Sequence, residues 1–216
     1  MLDNLVSKIC VSRIRLAKKL TWQITLVLAP LVVLLLPTQV RADGITFTLN
    51  FESFSDSTPL TTQYSSLGIT FSETTVITAG VSLNELDFPP HSGANVAFDD
   101  GGPIILAFSQ PASFVGAYFT YLEPLIISAF DAGGGLLSTA TSTFSADDVS
   151  SGNPPNEFLS VSAPGIADVT IAGAPDGGSF TMDDLTFVVP EPTTLLLLGA
   201  GIATLTMFRP RKKRKA

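Results

Sequence analysis

Between Asp43 and Phe208 the 216-residue chain has no lysine and no arginine. All twelve basic residues lie outside that stretch, from Lys8 to Arg41 and from Arg209 to Lys215, whereas every acid except Asp3 lies inside it. With 18 carboxylates and only His91 able to turn positive near neutral pH, the central region cannot form a Lys or Arg salt bridge within itself. Nucleic acids and anionic headgroups are excluded as its partners, because binding them relies on Lys and Arg to replace counterions. Cysteine is as scarce: Cys10 stands alone and ahead of the central region, which therefore has no disulfide, thiol nucleophile or cysteine-based metal site. Tryptophan is missing there too, since Trp22 precedes it, and tyrosine is limited to Tyr64, Tyr118 and Tyr121.

The two ends carry what the middle lacks. Residues 1–21 are basic, 22–36 (WQITLVLAPLVVLLL) are apolar, and Pro37 precedes Val40-Arg41-Ala42, small residues where a signal peptidase reads. This pattern predicts a secretory signal peptide over 1–42, cleaved after Ala42. An uncleaved anchor is the alternative, and Pro30 within the short apolar core argues against it. At the far end Val-Pro-Glu-Pro (189–192) leads into TTLLLLGAGIATLTMF (193–208) and then RPRKKRKA. A helix of that length reaches about 24 Å. The flanking Arg and Lys can snorkel to span a hydrocarbon core of about 30 Å. By the positive-inside rule, the basic tail 209–216 stays cytoplasmic and the acidic region crosses the inner membrane.

Pro190-Glu191-Pro192, the Leu-rich span with Gly199 and Gly201, and the terminal Arg/Lys cluster together resemble the PEP-CTERM sorting signal of exopolysaccharide-producing Gram-negative bacteria. The resemblance implies recognition of residues 190–216 by exosortase, processing near Pro-Glu-Pro, transient inner-membrane anchoring and release to the cell surface or its matrix. A plain C-terminal anchor would need the same span and basic stop but not the Pro-Glu-Pro.

Residues 43–189 read as strand after strand. Ile45, Phe47, Leu49 and Phe51 alternate with Thr46, Thr48 and Asn50, and Ile104, Leu106 and Phe108 with Ile105, Ala107 and Ser109. Period two with β-branched and aromatic residues is what a half-buried strand requires. Eleven such segments are expected, at 45–51, 67–72, 74–79, 94–98, 103–109, 113–121, 125–131, 135–144, 157–162, 166–172 and 179–189. Asp99-Asp100-Gly101-Gly102-Pro103 and Pro175-Asp176-Gly177-Gly178 supply turns between them. The prediction is all-β, an antiparallel two-sheet sandwich of jelly-roll type, flanked by a signal helix and a transmembrane helix.

The texts NFESF, HSGANVAF and FTMDDLTF also resemble jelly-roll carbohydrate-binding and galactose-binding-like domains, in which an early acid and a late Asp hold a structural Ca²⁺. The resemblance points to Glu52 and Asp183, with Asp184 and Asn50 beside them. Independently, carboxylates brought together without Lys or Arg must repel, shift pKa or bind a cation, and Ca²⁺ takes six to eight oxygens in flexible geometry. The competing reading leaves these acids facing solvent on separate edges.

His91-Ser92 has no G-x-S-x-G context and no second histidine for a zinc site, so His91 reads as a surface loop residue. Sugar binding calls for an exposed ring, for which Tyr64, Tyr118 and Tyr121 are the candidates. The expected protein is non-catalytic and exported, a structural or binding component of the cell surface or exopolysaccharide matrix of a biofilm. A carbohydrate-binding module is the alternative, and a secreted polysaccharide hydrolase, which needs only two spaced carboxylates, comes after it. Mass spectrometry of the protein recovered from its native cell should find mature ends near Asp43 and Pro190. A full-length mass, with both ends intact, would remove the export reading.

Overall fold

The computed structural model describes residues 44–191 together with Gly199 and Gly201, both helical. The expected signal peptide with its Ala42 cleavage point, Pro192, most of the 193–208 span and the basic tail lie outside the described residues. Among the described residues no helix is long and apolar enough to cross a membrane.

The predicted all-β architecture is present. Ten strands follow one another: β1 (Ile45–Leu49), β2 (Thr58–Pro59), β3 (Ile69–Ser72), β4 (Thr74–Thr78), β5 (Asn95–Asp99), β6 (Ile104–Tyr121), β7 (Ile126–Phe130), β8 (Leu136–Thr141), β9 (Glu157–Ala172) and β10 (Phe180–Val189). All strand pairings are antiparallel. The hydrogen-bonded order is β2-β4-β5-β10-β6-β9-β7-β8, with β1 added on β10 and β3 on β6.

Two strands are longer than expected. Residues 103–109 and 113–121 form the single 18-residue β6, and 157–162 and 166–172 the single 16-residue β9. Pro111 and Pro164-Gly165, in the gaps between those expected segments, sit where the β6–β9 register shifts between Ala107 and Ala112 and again between Ala112 and Phe114. Proline is tolerated at bulges because no ladder hydrogen bond is required of it there. The bulges let β6 and β9 serve both layers of the sandwich. The C-terminal half of β6 pairs with β10 and the start of β9, and its N-terminal half pairs with β3 and the end of β9, which continues to β7 and β8.

One apolar cluster fills the space between the layers and draws on Phe51, Phe71, Leu106, Ile127, Phe119, Phe180, Met182 and Phe187, all buried. Phe51 meets Phe71 edge-on at 6.4 Å between centroids, and Phe108 meets Phe187 at 5.4 Å, geometries that aromatic quadrupoles favour. Along β6 the inward set is Val115, Ala117, Phe119 and Tyr121, and along β9 it includes Leu159 and Val161. Phe114, Gly116, Tyr118, Phe158, Ser160 and Ser162 therefore lie on the opposite, outer face.

Polar groups inside this fold are satisfied by backbone amides. Asp99, at the end of β5, is fully buried and accepts the N–H of Ser179 and of Phe180 and the Ser179 hydroxyl, all at 3.0 Å. It joins the turn after β5 to the start of β10. Burial pushes its carboxyl upward despite those donors. Asp147 does the same for the 142–156 connection, accepting Tyr121 N–H at 2.6 Å and Glu157 N–H at 3.3 Å. Replacing Asp99 by Ala would strand three buried donors, and charged hydrogen bonds contribute roughly 1.5–3 kcal/mol each before non-additivity. Denaturant unfolding of Asp99→Ala should show a loss on the order of 3 kcal/mol or more, with Asp99→Asn losing less; equal stability of Asp99→Ala and the parent would contradict the role.

Candidate functional site

The residues singled out at the two ends of the domain converge on one loop. β1 ends at Leu49 opposite Leu185, and just beyond that pair Phe51 turns out of the strand with φ 61° while Asp184 bulges out of β10 with φ 48°. Non-glycine residues rarely hold such φ values, and here they aim Glu52 and the Asp183-Asp184 pair at residues 91–95. Glu52 Oε1 accepts the N–H groups of Ala94 at 2.9 Å and Asn95 at 2.8 Å. Asp183 Oδ2 accepts Ser92 N–H at 2.7 Å, and its Oδ1 accepts Asp184 N–H at 2.7 Å. Asp184 faces the His91 Nδ1 at 2.8 Å and accepts the Ser92 hydroxyl at 3.0 Å.

Gly93 makes the clamp possible. Its φ is +56°, and a Cβ there would fall 2.4 Å from Glu52 Cδ. Asn95 closes the other side, donating its amide to the carbonyls of Phe51 and Phe54 at 3.0 and 2.9 Å. Asn50 lies beside the clamp, its Oδ1 accepting Glu52 N–H at 3.4 Å.

Glu52 and Asp183 thus do share a site, although on separate donors of one loop. Among the described residues no three His, Cys, Asp or Glu side chains gather into a group that could hold a metal ion. Amide N–H groups stand against the carboxylate oxygens that Ca²⁺ would take. Of the expected ligand set, Glu52 and Asp183 spend oxygens on the amides of Ser92, Ala94 and Asn95, and Asp184 on His91 and the Ser92 hydroxyl.

The three tyrosines separate cleanly. Tyr121 is fully buried and hydrogen-bonds Glu157, and Tyr64 packs half-buried against Phe51, Phe54 and Phe71. Tyr121 presents no ring to a ligand, which corrects the expectation for it, and the Tyr64 ring is spent on that aromatic cluster; burial pushes the two phenols upward. Tyr118 lies on the outer face. The His91 imidazole stacks on it at 3.4 Å and 7°, and Phe158, its cross-strand partner, leans against it at 5.0 Å.

Phe158 was not among the expected residues, yet it is 45% exposed. Its alternation with buried Leu159 and Val161 already implied an outward ring. Gly116 supplies the floor beside it: a Cβ there would meet Phe158 Cζ at 2.8 Å and Phe114 Cζ at 3.0 Å. Around these rings lie the hydroxyls of Ser160 and Ser162 on β9 and of Thr48 and Thr186, which bond each other at 3.0 Å across β1 and β10. His91 is an exposed loop residue as expected, but one positioned by Asp184 and Tyr118.

The model of the PEP-CTERM protein-sorting motif matches residues 188–212, which include Pro190, Glu191 and Pro192. This motif indicates export and surface sorting in bacteria. No curated protein matches the sequence. Solved structures similar to this chain include a DUF4465 family protein from Bacteroides caccae, at 11% identity, TM-score 0.37 and coverage of 71% of this chain and 96% of that one. A xylan-binding domain of carbohydrate-binding module family 22 matches at 11% identity and TM-score 0.37, covering 69% of this chain and 97% of that one. A family 35 module from Paenibacillus barcinonensis matches at 14% identity and TM-score 0.34, covering 67% and 98%.

Burial, set against amide donors, pushes the carboxyls of Asp183 and Asp147 up from 3.8 to about 6. Each therefore binds its proton more tightly folded than unfolded. Stability should be highest below about pH 4 for these groups and fall as pH rises toward about 6, by on the order of 3 kcal/mol per group for a shift of that size. Melting temperatures across pH 4–7 should decline, and Asp183→Asn and Asp147→Asn should each flatten the slope. Parallel profiles for parent and variants would contradict the assignment.

Proposed function

We propose that the exported domain is a non-catalytic component of the cell surface or its polysaccharide matrix that contacts glycans through the outer face of β10, β6 and β9. The observation that carries this reading is the aromatic group on that face: exposed Phe158, Tyr118 behind it and His91 stacked on Tyr118. Flat rings stack on the C–H faces of pyranoses, and nearby hydroxyls match sugar hydroxyls as both donors and acceptors. The ring positions rest on strands and on a loop held by Glu52, Asp183 and Asp184, so little ordering is left for binding to impose.

The sorting motif supports the location, and exosortase and signal peptidase are the partners it implies during export. Ca²⁺ at Glu52, Asp183, Asp184 and Asn50 stands as a separate proposal. A cation there has to displace the amides of Ser92, Ala94 and Asn95, so calorimetric titration should give heat that Glu52→Gln abolishes, and a silent titration removes the proposal.

Affinity electrophoresis in gels containing neutral β-glucans and xylans tests the face itself. The parent protein should be retarded in at least one gel, and Phe158→Ala should lose about tenfold in affinity, or 1.4 kcal/mol. Unchanged retardation on removing the ring, or none in any gel, would overturn the reading.

A further inference from the structure

We infer that the glycans taken by this face are uncharged, and that polymers bearing uronate or sulfate groups are excluded from it; the inference rests on the glycan-contacting reading above. Recognising a carboxylate or sulfate requires a cation or a cluster of N–H donors aimed outward. The domain has no Lys or Arg at all. Its one imidazole already faces the Asp184 carboxylate at 2.8 Å and is stacked on Tyr118, so it is engaged within the domain. The polar side chains beside Phe158 are the hydroxyls of Ser160 and Ser162 and the Thr48–Thr186 hydroxyl pair, all uncharged.

The clamp below makes the exclusion stronger. The amides of Ser92, Ala94 and Asn95, which would otherwise attract an anion, are turned inward to Asp183 and Glu52. What the face offers at its loop end is net negative. At about 0.01 M salt the Debye length is roughly 30 Å, so a polyanion approaching Phe158 feels most of the domain's carboxylates, whereas at 1 M it falls to about 3 Å. A neutral chain feels neither condition.

A cationic amino-sugar polymer would be attracted by that same field, but at any acidic patch and without need of the rings. Uncharged chains are the class for which stacking and hydroxyl pairing suffice, and the composition of the face contains nothing else.

The test uses the full-length chain in a non-glycosidic detergent with EDTA, so that no divalent cation bridges a polyanion to the clamp acids, and reads only the binding lost in Phe158→Ala, because the basic ends contribute equally to parent and variant. Phe158→Tyr, which keeps a ring, should retain binding and shows that loss in the Ala variant is not misfolding. Ring-dependent affinity for a neutral β-glucan or xylan should change less than twofold between 0.01 and 0.5 M NaCl. Polygalacturonate and alginate should show none at either salt. Ser162→Lys, which places a cation on the face, should give polygalacturonate a ring-dependent binding that the parent lacks. Ring-dependent binding of a polyanion to the parent, or ring-dependent binding confined to chitosan, would overturn the inference while leaving the face a glycan site. Ring-dependent binding to none of the polymers would instead remove the face as a site, and the inference with it.

Discussion

Backbone amides are the counter-charge of this domain. A sequence with 18 carboxylates and no Lys or Arg between residues 43 and 208 has no side-chain cation with which to bury an acid, yet Asp99, Asp147 and Asp183 are all buried. Each is met by N–H groups from a segment distant in sequence: Asp99 by Ser179 and Phe180, Asp147 by Tyr121 and Glu157, Asp183 by Ser92. An isolated carboxylate in a dry interior is costly, and several short charge-assisted bonds offset that desolvation. The loops are thereby given fixed geometry by the very residues that composition marks as a liability.

This constraint also divides the outer sheet face. Ser82, Leu83, Asn84 and Phe88 line a cavity with Ile77 of β4, Phe98 of β5 and Phe180 and Thr181 of β10, and the clamp of Glu52, Asp183 and Asp184 holds His91 against Tyr118. Beyond that point the face is open, and the first large side chain on it is Phe158. The same acids that hold the loop therefore decide where the exposed surface begins and which rings border it. Gly116, with no side chain, keeps Phe114 and Phe158 close to the sheet rather than standing off it.

Much of this was legible from residue patterns. Alternation placed the strands because a two-layer sandwich buries every second residue, and Ile104, Leu106 and Phe108 against Ile105, Ala107 and Ser109 leave little choice of period. The gaps left at Pro111 and Pro164 were misleading, since proline marks a bulge as readily as an end, and only the pairing partner distinguishes them. Glu52, at the close of the first strand, and Asp183, inside the last, were singled out together because the text around them resembles jelly-roll carbohydrate-binding domains. Their partners were not found, since amide donors carry no residue-type signature: nothing in His91-Ser92-Gly93 states that its N–H groups will face a carboxylate. Tyr121 and Tyr118 differ by three positions, and strand parity alone separates an inward ring from an outward one once Phe119 is known to be buried.

The pairing of β1 with β10 brings Ile45 opposite Val189, so the domain's first and last strands end side by side. The chain therefore enters the first strand and leaves the last at one pole of the domain. Tension between those two ends would act as on a zipper, opening five cross-strand pairs one after another instead of shearing them together. Load carried through the C-terminal connection alone would meet β10 between β1 and β6, where many ladder bonds resist at once. A domain built this way yields most easily when pulled by both ends.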